Sequence, residues 1–168
     1  MALGWGTMII LGASHQLVPV IIEAGLYSER LAYASFLLAA AGIPILVYAF
    51  YVFDMGWPAK LGAWLVLGAV LLYLVNLAKS ITGSGKENVH AVFILTAASW
   101  LLLTIIIGLL LVYNITGNFF ARNSVDYLPL HAHIGIIGWF LLLITGVGSR
   151  LVPMFLISKY SNPAHLWW

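Results

Sequence analysis

Residues 128–157 read LPLHAHIGIIGWFLLLITGVGSRLVPMFLI. The stretch is thirty residues long and carries one formal charge, Arg150. A helix needs about 20 mostly apolar residues to cross the hydrocarbon core of a bilayer. This segment therefore reads as a membrane span, and four similar segments precede it. They run roughly over residues 3–25, 31–53, 59–81 and 89–115. Turn-forming residues separate them: Gly25 to Ser28, Asp54 to Pro58, Thr82 to Gly85, and Thr116 to Ser124. Pro58 suits the first turn of the third helix, where a missing N–H costs nothing. The expected fold is all-α: one transmembrane domain over residues 1–168, a polytopic bundle of five helices.

Composition agrees. Of 168 residues, 63% are hydrophobic and 7% charged, with a mean hydropathy of +1.06; a soluble domain carries about 25% charged residues. Seven Lys and Arg scattered over such a chain make no basic stripe, so nucleic acid is excluded as a partner. There are no cysteines, which rules out disulfides and thiolate-ligated metals. The first segment lacks a basic leader and contains Trp5, His15 and Pro19, unlike a secretory signal peptide. Arg30, Lys79, Lys86, Arg150 and Lys159 fall on one side of the membrane, Lys60 and Arg122 on the other. The side richer in Lys and Arg is normally cytoplasmic, which puts the C-terminus inside and the N-terminus outside.

Two features suggest a piece of a longer polytopic protein. Asn162-Pro163 reads as a helix start, so residues 158–168 would open a sixth helix; a short tail anchored by Trp167 and Trp168 is the alternative. The chain also repeats. At an offset of 134 residues, Gly4-Trp5 falls on Gly138-Trp139, Ile10 on Ile144, Gly12 on Gly146, and Leu17-Val18-Pro19 on Leu151-Val152-Pro153. The repeat unit is four helices, with the fifth beginning a second copy.

His131-Ala132-His133 opens the fifth span at its outer end. Ionisable residues inside a membrane are costly and usually functional. At i and i+2, the two imidazoles point about 200° apart on a helix. They suit two separate centres better than one shared ion; a pair wetted by headgroups is the plain alternative. A neutral imidazole is a common axial ligand of haem iron.

The stretch from His131 and His133, through Gly138 and Gly146, to Pro153-Met154-Phe155 resembles a helix of the heme-copper oxidase catalytic subunit. The interval of twenty residues from His133 to Pro153 matches that family's spacing, and Leu17-Val18-Pro19 resembles the close of its other haem-ligating helix. The resemblance implies a bacterial inner-membrane protein binding haem b, with His131 matching the high-spin and His133 the low-spin haem ligand. It implies an oxidoreductase component passing electrons from quinol or cytochrome c toward dioxygen or nitric oxide. The family's His-Pro-Glu-Val-Tyr motif and His-His pair are absent, so copper is not expected in this chain. The opposing axial histidine is missing too, and missing helices or partner subunits would have to supply it. Two other readings stay open: a non-catalytic haem- or copper-binding protein of the nitric-oxide response, and a cofactor-free structural or transport bundle.

Other polar residues read as structural. His15 is expected to hydrogen-bond Ser14 or Gln16 near a Pro19 kink, His90 to sit at the inner interface, and Glu23 to pair with Arg150. Asn76 and Lys79 read as interhelical polar contact and snorkelling lysine. Gly135, Gly138, Gly146 and Gly148 would admit a close helix or, alternatively, a porphyrin. The tryptophans within the spans read as packing residues.

Overall fold

The computed structural model describes residues 2–85 and 88–156. Every element among them is helical: α1 (Ala2–Ile22), α2 (Glu29–Tyr51), α3 (Trp57–Gly83), α4 (Val89–Gly117), and a composite helix. That last helix is α over Leu128–His133 (α5), π over Ile134–Leu141, and α again over Leu142–Phe155 (α6). Four helical stretches are long and apolar enough to cross a membrane: Glu29–Tyr51, Trp57–Gly83, Val89–Gly117 and Ser124–Phe155. The suggested sixth helix, with Lys86 and Lys159, lies outside the described residues.

The ends follow local chemistry. α1 stops at Ile22, three residues before the expected Gly25, because Glu23 takes a left-handed conformation (φ 53°) that a continuing helix does not allow. α2 starts two residues early because the Ser28 hydroxyl accepts the Leu31 N–H at 3.3 Å. Pro58 does sit in the first turn of α3. α4 runs to Gly117 and closes on Asn118 in the left-handed region (φ 48°, ψ 48°), which asparagine tolerates.

Packing is governed by small side chains. The buried residues of α2 are Ser35, Ala39, Gly42 and Ala49, which form one stripe at helical spacing. Gly42 meets Gly62 of α3 almost backbone to backbone. A Cβ on Gly42 would lie 3.0 Å from the Gly62 carbonyl, and one on Gly62 would lie 2.8 Å from the Leu46 nitrogen. α4 is the central element, in contact with α1, α3 and all three parts of the composite helix. Along that helix Gly135, Trp139 and Leu143 are buried four residues apart. In an α-helix each step of four drifts about 40°; the wider π turn, with its i→i+5 bonds, keeps the three on α4.

Polar residues fix the connections. Asn76 accepts the Ser28 N–H and donates to the Ser28 carbonyl, both at 3.0 Å. Ser80 accepts the Tyr27 N–H at 2.9 Å, and Lys79 donates to the Tyr27 hydroxyl at 3.2 Å. The α1–α2 turn is thereby pinned to α3. At the opposite end, Asn114 accepts the Phe120 N–H at 2.7 Å and donates to Ser124 Oγ at 2.9 Å, ordering the chain before α5. Of the tryptophans, Trp139 is packed inside, whereas Trp57 and Trp64 face outward, Trp64 donating to the Tyr113 hydroxyl at 3.1 Å. The packing role expected for Trp57 is therefore corrected, while Trp64, though exposed, ties α3 to α4.

Two substitutions test this packing. Gly62→Leu should destabilise the protein by on the order of 1–3 kcal/mol, since the backbone of α2 fills the space. Gly12→Ala meets nothing within 4 Å and should leave stability within about 1 kcal/mol or raise it. Thermal unfolding in detergent, followed by circular dichroism, reads both. Asn76→Leu, which strands two backbone groups of Ser28, should cost about 1–3 kcal/mol in the same assay.

Candidate functional site

His131 and His133 leave the composite helix on different sides. His131 turns toward α4, where Gly108 leaves room for its ring: a Cβ there would stand 3.0 Å from His131 Cε1. Its Nδ1 is buried and meets no hydrogen-bond partner. His133 is exposed, and its Nδ1–H donates to the Pro129 carbonyl at 2.7 Å. A carbonyl only accepts, so Nδ1 carries a proton, and in the neutral ring the lone pair is then on Nε2. Metal-bound histidines are commonly held in this way, one ring nitrogen donating to a carbonyl while the other ligates. His133 thus fits an axial ligand, and His131 offers an orphaned nitrogen. No group of three or more His, Asp or Glu suited to a metal ion occurs among the described residues.

Three of the four glycines singled out are filled by α4. A Cβ on Gly135 would meet Thr104 Cγ2 at 3.2 Å, on Gly138 Trp100 Cδ2 at 2.8 Å, and on Gly146 Phe93 Cβ at 2.6 Å. They serve helix packing, and α4 occupies the room a porphyrin would need there. Gly148 alone is open and lines a cavity.

The other two histidines among the described residues are held elsewhere. His15 Nδ1–H donates to the Leu11 carbonyl at 2.6 Å, in place of the bond to Ser14 or Gln16 expected from sequence. Its ring stands edge-on to Tyr73 of α3, 5.3 Å between centroids, and its buried Nε2 has no partner. The side-chain bond was open to the helix's own carbonyl, which sits one turn back. His90, in the first turn of α4, is buried against its neighbours, with Nδ1 2.8 Å from Ser149 Oγ. Ser149 spends its hydroxyl hydrogen on the Gly146 carbonyl at 3.0 Å, so the imidazole is the donor. Glu23 and Arg150 do pair, Nη2 to Oε1 at 3.0 Å, and tie the end of α1 to α6.

Sequence reasoning missed Gly108 and Tyr73. A glycine within an apolar run and a tyrosine within a span carry no signal until their neighbours are known. No protein-family model matches the chain, and no curated protein or solved structure matches it either.

Gly108→Leu should push the His131 ring aside and cost on the order of 1–3 kcal/mol. Adding His131→Ala should return part of that loss. Strictly additive losses in unfolding experiments would mean that the two residues do not touch.

Proposed function

We propose that the chain is a b-type haem-binding membrane protein related to the catalytic subunit of terminal oxidases. In this reading it spans the membrane five times, with the N-terminus outside and the C-terminus in the cytoplasm. The fifth span opens a second copy of a four-helix unit. The observation that carries the reading is His133: exposed at one end of its span, with Nδ1 occupied by the Pro129 carbonyl and Nε2 available. His131, on the opposite side and with an orphaned Nδ1, would serve a second centre. A further helix or partner subunit supplies the opposing ligand.

Haem bound there supplies one-electron chemistry toward dioxygen or nitric oxide, with quinol or cytochrome c as donor. The chain's own part is to fix the His133 tautomer and to hold the helix rigidly on α4. Turnover by this chain alone is not proposed, because the family's copper-site motifs are absent from its sequence. A cofactor-free bundle is the second reading, and it is favoured by α4 filling the space over Gly135, Gly138 and Gly146.

The deciding experiment is a reduced-minus-oxidised visible spectrum of the purified protein from haem-replete cells, beside His133→Ala and His131→Ala. A Soret band lost in His133→Ala is the expected result. A colourless wild type leaves the cofactor-free bundle.

A further inference from the structure

A cavity of about 300 Å³ lies between α1 and the composite helix. It is bounded by Ile10 and Ile21 on α1, Phe140 and Gly148 on the composite helix, and Ile94 of α4. Ser14 is its one polar lining residue, and that hydroxyl is already donated to the Leu11 carbonyl at 3.0 Å. Nothing in the walls asks for a polar occupant. From Ile10 to Ile21 the slot runs about 16 Å along the helix axis. An extended acyl chain of a membrane lipid spans that length.

One end of the slot is chemically different. One turn from Ile94 on α4 is His90, donating to Ser149; Arg150 follows Ser149, and Glu23 lies two residues beyond Ile21. The Arg150–Glu23 pair crosses this end at 3.0 Å, and its side chains remain 43% and 54% exposed. Asn88 caps α4, and its amide donates to the Ile21 carbonyl at 2.8 Å, which holds the start of α4 beside the end of α1. Glu23 balances the formal charge of Arg150, so attraction for a phosphate rests on the remaining N–H donors of the guanidinium. The guanidinium has five N–H donors in a planar fork suited to phosphate.

We propose that the slot holds one acyl chain of a phospholipid whose phosphate docks on Arg150. The inference rests on the membrane placement proposed above and does not use the haem. The apolar walls take the chain, the mouth takes the headgroup, and the lipid completes the seam between α1 and α6.

Native mass spectrometry of the full chain, purified in mild detergent, reads this directly. The wild type should retain one phospholipid. Gly148→Phe and Ala13→Phe, which fill the slot from opposite walls, should lose it while keeping helical circular dichroism and a single elution peak. Arg150→Gln should release it at least tenfold more readily. After delipidation, phosphatidylglycerol should rebind, whereas a fatty alcohol or inorganic phosphate alone should not. Two results would overturn the proposal: no phospholipid on the wild type, or undiminished retention in both folded slot-filling variants. Undiminished retention in Arg150→Gln overturns the headgroup contact. Carbonate washing of the same membranes separates the premise from the proposal, since a washed-off protein removes the membrane placement itself.

Discussion

Helices in a bilayer gain little by burying leucine against leucine, because the lipid tails they leave are as apolar as the partner they join. What holds such a bundle is close backbone approach and satisfied polar groups, and this chain depends on α4 for both. Gly108 of α4 admits the His131 ring, while Phe93, Trp100 and Thr104 of α4 fill the notches at Gly146, Gly138 and Gly135. The seam is knobs from one helix set into glycines of the other. The π segment belongs to the same seam, since it holds Gly135, Trp139 and Leu143 in line on α4.

That seam also sets the chemistry. Once the glycine face lies on α4, His131 is committed inward and His133 outward, because residues two apart cannot share a face. The outward imidazole is then oriented by its own helix through Pro129, and needs no partner to fix its tautomer. At the other end of the composite helix, Ser149 and Arg150 fall beside His90 and Glu23 and tie α6 to the start of α4 and the end of α1.

Much of the helical content was legible in the sequence, because apolar runs bounded by Gly, Pro, Asn and Ser mark spans and turns without reference to tertiary contacts. The Glu23–Arg150 pair was legible for a related reason: two opposite charges at one end of two spans have few other partners. Illegible were features set by a neighbouring helix. His90 starts α4 near charged residues, and nothing local announces that Ser149, fifty-nine positions away, is its partner. The π turn leaves no local mark, since Ile134–Leu141 contains neither proline nor a polar break. The glycines at 135, 138 and 146 were ambiguous between helix and porphyrin, and only the side chains of α4 distinguish the two.

The central claim is that α4 separates the two histidines into a half-buried and an open position. The chain has no native cysteine, so thiol labelling tests it with single substitutions. H131C and H133C would be reacted with N-ethylmaleimide in detergent, natively and after denaturation, and followed by mass. The account expects H133C to react at its denatured rate and H131C to be protected at least tenfold until unfolding. Equal native rates at the two positions would contradict it.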